Sequence, residues 1–318
     1  MTVEVADIAD EAFGGELSLG RVEAAVAAAR SLIDAEPGEE RWVKPLIRAI
    51  ERKRLRLPSL SPTVDRVVRL IESPDVDLDE LATAVNGDPV LATRIIGLAN
   101  SSYFRGASEV PNVREALMRM GIREARTLVV VVALRSTLLR SPGLGDAAQG
   151  LWKHSLLTAS AVQEITQELP PWETMGFLAG LLHDLGKLVV LAFVAELPAW
   201  QDDGAEPSEE TVAAMLDATH APLGALVLAS WKFPEALCDA VLAHHDSAAA
   251  TEESAPLACA MQLGHEIANQ IAAGWPEDSA DLGASIVALG ERLGLEPDRL
   301  ADIAAEAETN LEALSKLG

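Results

Sequence analysis

Apolar residues recur along this chain at intervals of three and four, the spacing that lines one face of an α-helix, and strict alternation is scarce. The first 56 residues hold two such patterns, Val22–Ala35 and Glu39–Arg56, joined by Pro37-Gly38. The second closes on the basic stretch Arg52-Lys53-Arg54, suited to a solvated helix C-terminus. LPSLSPTV at 57–64 reads as a punctuated linker before a helix over Asp65–Ile71. Asp77 is placed to cap a short helix over Leu78–Val85. Asp88-Pro89 pairs a cap with a first-turn proline for a helix running toward Asn100. Val113–Met120 and Ala125–Leu139 follow. The Val129–Val132 run would also suit a buried strand, but its length and neighbours favour a core helix. After the Gly/Pro-rich break at 141–150 the pattern predicts helices near 151–168, 173–195, 208–217, 222–231, 234–245, 256–273 and 299–315, with loops at 202–208 and 246–254.

The expected fold class is therefore all-α, and composition agrees: 49% of the 318 residues are apolar but only 4% are aromatic, with Ala and Leu prominent. The breaks divide the chain into an N-terminal helical extension (1–56), a front helical subdomain (57–150), a rear bundle (151–272) and a C-terminal helical extension (273–318). Charge sharpens that division. The net charge is −24, and residues 151–275 contribute most of it, with three lysines, no arginine and seventeen carboxylates. A surface of that sign repels polyphosphate backbones and anionic lipid, so neither nucleic acid nor membrane is an expected partner. The ten arginines of 57–150 could form an interface complementary to the acidic segment, or could be ordinary solvated surface charge. Cys238 and Cys259 have no CxxC spacing and read as free thiols. The apolar runs Leu128–Leu134 and Leu188–Val194 are core lengths rather than membrane spans, and the N-terminus lacks a signal-peptide pattern. The expected location is the cytoplasm.

All six histidines lie between His154 and His265, in the order His154, His183-Asp184, His220, His244-His245, His265. Histidine is the commonest metal ligand, and clustering of the whole supply points to one site. Neighbours on a helix lie about 100° apart, so an adjacent pair rarely shares a core-facing stripe, yet both members can converge on an ion between helices.

WKHS, FLAGLLHDLGKL, THAPLGALVLASWKFP and AVLAHH, in that order, resemble the HD superfamily of metal-dependent phosphohydrolases. With LPSLSPTVDRVVRLIES and DPVLATRIIGLANSSYF in front, residues 57–272 are similar more closely to the HDOD domain, the HD-related output domain of bacterial signalling proteins. The resemblance implies a front helical subdomain packed on an HD-like bundle. It implies His154, His183 and Asp184 as metal ligands, Asp184 being the natural bridge, and His220, His244 and His245 as ligands of a second ion. One or two divalent ions are thus expected, from among Fe, Mn, Zn and Mg. Lys187, one turn after His183, could contact a substrate phosphate or could be a solvent-exposed helix lysine. Asp217, three residues before His220, could orient that imidazole or be a surface carboxylate.

Two departures from the resemblance bear on activity. Where active relatives carry an Ala-Asp pair, LGHEIA places Gly264-His265, so imidazole would replace a carboxylate at the metal. After His244-His245 the chain runs Asp246-Ser247-Ala248, without the Gly-Tyr-Pro segment of the cyclic-dinucleotide-cleaving branch. Scarce cations around the site also weigh against efficient phosphohydrolysis, which needs positive charge to spread over the transition state. The expectation is a regulatory output module with a largely retained metal site and little or no catalysis. Its expected partners are signalling proteins or a small nucleotide ligand, with homo-oligomerisation open. The alternative is an active phosphohydrolase on a nucleotide or cyclic nucleotide.

Overall fold

The computed structural model describes residues 2–4, 16–35, 40–52, 55–58, 60–72, 77–101, 104, 109–138, 145–196, 207–276 and 282–315. Pro37-Gly38, Lys53-Arg54, the opening of the 141–150 break and most of the 202–208 loop lie outside them. The described chain is almost entirely helical, as the apolar spacing predicts. It divides into two compact units, each drawn from separate stretches of sequence: residues 1–59, 141–151 and 182–262 in the first, and 60–140, 152–181 and 263–318 in the second.

The first unit is built around α11 (Glu209–Ser230), which packs against α1 (Glu16–Ala35), α10 (Leu185–Ala195) and α12 (Glu235–Leu242). Its residues Thr219 to Ala229 are buried without interruption. The expected pair of helices at 208–217 and 222–231 is instead this single rod. Pro222 forgoes one backbone hydrogen bond inside it, and burial of the surrounding turns outweighs that loss. Ser208 caps α11 by accepting from the Thr211 amide. In the same unit α2 (Glu40–Glu51) lies against α1 and buries Trp42, Leu46 and Ile50. A small antiparallel pairing of β1 (Thr2–Glu4) with β2 (Arg56–Pro58) was not foreseen. Trp231 Nε1 donates to the Pro58 carbonyl at 2.8 Å, joining the end of α11 to β2.

The second unit holds α3 (Pro62–Glu72), α4 (Leu78–Asn86), α5 (Pro89–Ala99), α6 (Val113–Met120) and α7 (Ile122–Leu138), which pack on one another. Its caps match the sequence reading: Asp77 accepts from Asp79 N, and Asp88 accepts from Val90 N and Leu91 N ahead of Pro89. Asn112 opens α6 in a reciprocal box with Glu115. Val129–Val132 is buried within α7, so the run is a core helix. The arginines of this unit do varied work. Arg114 pairs with Asp79, Arg119 reaches the Ala99 carbonyl and Asn100 Oδ1 at 3.3 Å each, and Arg94 is exposed. The Arg123 side chain lies outside the described atoms. The C-terminal stretch supplies α14 (Ala284–Arg292), which the periodicity missed, and α15 (Pro297–Ser315), where Arg299 meets Glu164, Glu168 and Glu306.

Two stretches, Gly176–Ala195 and Glu209–Ser230, are long and apolar enough to cross a membrane by length and composition, contrary to the expectation that none would be. They are 72% and 61% buried inside the protein, as core helices are.

Candidate metal centre

The continuous helix expected over 173–195 breaks where the chemistry sits. Helix α9 (Gly176–Leu182) ends, His183 and Asp184 form a turn, and α10 begins at Leu185. Asp184 occupies the N-cap position of α10 but makes no capping hydrogen bond, so its carboxylate is left to point elsewhere. Two glycines let α10 approach α11 closely enough for these side chains to meet. A Cβ on Gly186 would lie 1.9 Å from the His220 carbonyl oxygen and 2.7 Å from Gly224 N, so only glycine fits that crossing.

The first unit thereby brings His183, Asp184, Lys187, His220, His244 and His245 together. Asp184 Oδ1 lies 3.4 Å from His220 Nε2 and 3.9 Å from His244 Nε2. Its Oδ2 lies 3.3 Å from His183 Nε2 and accepts from Lys187 Nζ at 2.7 Å. His183, Asp184, His220 and His244 are buried, and His245 reaches the surface. Lys187 is thus neither a freely solvated lysine nor an unengaged phosphate contact.

Backbone carbonyls set the ring orientations. His220 Nδ1 donates to the Leu216 carbonyl at 2.7 Å, and His244 Nδ1 donates to the Val241 carbonyl at 2.6 Å. Because a carbonyl only accepts, the proton of each neutral ring is on Nδ1 and its Nε2 carries a lone pair. Those Nε2 atoms face one another at 3.3 Å, and His245 Nε2 lies 2.8 Å from that of His220. Gln262 holds the turn that presents His245: its Nε2 donates to the His245 carbonyl at 3.0 Å, while its Oε1 accepts from Ser247 N and Oγ.

Electrostatics keep these groups in ligand form. Burial would raise the Asp184 carboxyl, but His183, through charge and hydrogen bond, followed by Lys187 and His220, holds it well below the usual carboxylate range. Burial, against the pull of Asp184, lowers His220 to about 4, and burial also lowers His244 and His245. Asp217 acts through its charge on His245 rather than orienting His220. Bare imidazole lone pairs converging beside an ionised carboxylate form a donor set that fits a divalent cation.

In the second unit His154, on α8 (Gly145–Thr166), and His265, on α13 (Ala255–Ala273), face each other edge to face. His154 Nε2 lies 3.1 Å from His265 Nδ1 and 3.5 Å from Thr158 Oγ1. The neighbouring Gly264 is what the packing demands, since a Cβ there would come within 2.5 Å of Val162 Cγ2. Glycine in place of the alanine of active relatives is therefore coupled to Val162 opposite.

Gly186 and Gln262 escaped the sequence reading. Glycine and glutamine carry no metal-site signature, and each acts here only through a neighbour distant in sequence.

Fold and donor set together define an almost entirely helical protein with a histidine-carboxylate cluster whose donors suit a divalent cation. The HDOD domain family model matches residues 57–247, and the chain belongs to that family. An uncharacterized protein of Treponema pallidum (strain Nichols) is 27% identical over 207 residues, covering 63% of this chain and 40% of that relative. The chain thus spans about two fifths of that protein's length. Among solved structures, an HDOD domain protein of unknown function from Geobacter sulfurreducens is 21% identical with a TM-score of 0.64, covering 93% of this chain and 99% of that one. A candidate signal-transduction protein from Marinobacter aquaeolei VT8 has TM-score 0.65 and 19% identity over 99% of this chain and 68% of its own. A candidate phosphohydrolase from Shewanella amazonensis SB2B has TM-score 0.60 and 23% identity over 82% and 94%. At these identities the likeness is one of fold.

Proposed function

We propose that this chain is a regulatory output module of bacterial signal transduction that holds a divalent metal and turns over little or no substrate. The observation that carries the reading is the Lys187–Asp184 contact at 2.7 Å. Residues 151–275 hold three lysines and no arginine; Lys153 and Lys232 are exposed, and Lys187 is engaged by the carboxylate. Phosphoryl chemistry asks for cations free to follow charge onto the substrate, and this segment commits its one partly buried lysine to Asp184. Gly264-His265 in place of an Ala-Asp pair supports the same reading.

His183, Asp184, His220, His244 and His245 would hold metal; the family resemblance adds His154, and His265 stands where active relatives carry a carboxylate. A divalent ion bound there supplies Lewis acidity and lowers the pKa of a bound water. The chain's own residues present neutral imidazoles through Leu216 and Val241, keep the carboxylate ionised and exclude bulk water from it. A nitrogen-rich set favours Zn or Fe over Mg, which prefers oxygen ligands. The acidic surface, low in cations, accords with a cytoplasmic protein whose partners are signalling proteins, a small nucleotide ligand or a second copy of the chain.

The second reading, a phosphohydrolase acting on a nucleotide, draws support from the name of the Shewanella amazonensis neighbour. The two are separated by elemental analysis of protein purified without a metal-binding tag, together with a screen of nucleotide and cyclic-nucleotide phosphoesters. Bound transition metal without turnover supports the regulatory reading. Turnover that disappears in Asp184→Ala establishes the enzyme instead.

A further inference from the structure

The second unit contains a cavity of about 350 Å³ that none of the metal chemistry uses. Its size lies at the small-molecule end of the range for ligand pockets, roughly 300–1,000 Å³. One wall is α7, where Ile122, Arg126 and Val130 recur at four-residue spacing on a single face. Phe177 and Leu178 of α9 form an apolar floor with Val130, all three buried. Gln163 of α8 adds an amide to the wall. Ile122 is 40% exposed and is one of three large apolar side chains left so exposed among the described residues. Its position at the cavity concentrates wetted apolar surface where a ligand could cover it.

Arg126 gives this cavity a sign. The guanidinium is partly withdrawn from water, and burial lowers its pKa from the ordinary value. Its planar fork of N–H donors matches the two oxygens of a carboxylate. Glu173 also borders the cavity but is exposed, so water screens its repulsion of an anion more than it screens Arg126. On a chain of net charge −24, an anion gains little from the general field and needs a specific cation.

We propose that this cavity binds a small amphipathic carboxylate, with its apolar chain on Val130, Phe177 and Leu178 and its head on Arg126. The cavity shares no lining residue with the histidine cluster of the first unit, and the proposal stands whether or not that cluster is catalytic.

The test is calorimetric titration of the full chain with octanoate, octylammonium and octanol, each far below the concentration at which it self-associates. Octanoate should bind saturably at one site, and at least tenfold more tightly than either comparator. Arg126→Met should weaken octanoate tenfold or more and leave octanol unchanged, whereas Arg94→Met, at an exposed position on α5, should change neither. If Arg126→Met does not fold, Ile122→Glu places a like charge at the exposed mouth and should selectively weaken octanoate. Absence of saturable octanoate binding, equal binding of octylammonium, or octanoate affinity indifferent to the folded Arg126 or Ile122 variant would each overturn the proposal.

Discussion

The histidine cluster of the first unit and the Arg126 cavity of the second assemble recognition in opposite ways. The cluster is made of polar groups taken out of water, each aimed by another group: His220 by Leu216, His244 by Val241, Asp184 by His183 and Lys187. The cavity is made of apolar walls around one partly buried charge, with space left where side chains could have met. A cation needs several lone pairs at fixed positions, so its site tolerates almost no freedom. An amphipathic molecule brings its own surface, so its site requires only shape and one complementary charge. Rigidity is thus expected to matter far more in the first region than in the second.

Substituting the glycines should expose that difference most strongly. Gly186→Ala drives a methyl group into the His220 carbonyl, and separation of α10 from α11 should cost more than about 3 kcal/mol, as severe overpacking does. Denaturant melts and metal content measured on the same sample should fall together. Retained stability with retained metal would mean that the close crossing is not needed for the site.

Acid should act next most strongly, and on the cluster. His220 titrates near 4 in the folded chain and about 6.5 when unfolded, so between those values the unfolded chain binds the extra proton. Stability is therefore full above pH about 6.5, declines as pH falls, and levels below about 4, with His220 alone contributing about 3 kcal/mol to the loss. His244 and His245 shift in the same direction and steepen the decline. Metal-free melts across this range should show it, and a flat profile would place these imidazoles in water.

Removing metal should have a smaller effect near neutral pH. An ion bound only by the folded state at a hundredfold above its Kd adds about 2.7 kcal/mol, so a chelator should lower Tm by several degrees. His183→Ala should abolish that response. Identical wild-type melts with and without chelator would mean that the cluster holds no structural ion.

The smallest effects belong to the second unit. Asp88→Ala removes the cap of α5 and should cost about 1 kcal/mol. Gly97→Ala, exposed in the same helix with no atom within 4 Å of the new Cβ, should stabilise by about 1 kcal/mol. Neither should alter metal content, and coupling of either to the metal would break the contrast.

Much of the fold was legible because local chemistry decides local structure. The caps Asp77 and Asp88, the proline at the start of α5 and the apolar spacing of α6 and α7 act within a few residues, where sequence alone suffices. Errors fell where burial outvoted local signals: a proline that α11 absorbs, and a run from 173 to 195 that breaks at His183-Asp184. The candidate donors were legible as well, because histidine is scarce and chemically distinctive, and the histidines and the His183-Asp184 pair are ordered along the chain as in the HDOD family.

Sequence by itself determined the helical class, the family and the identity of the candidate donor side chains, since residue type and short-range spacing carry those. Only the tertiary structure decided which atoms face one another. It committed Lys187 to Asp184, put Gln262 behind His245 and made Gly186 the point where α10 and α11 touch, because each depends on backbone approach between residues far apart in the chain. Local propensity has no term for that approach, and packing sets it to within a few tenths of an ångström.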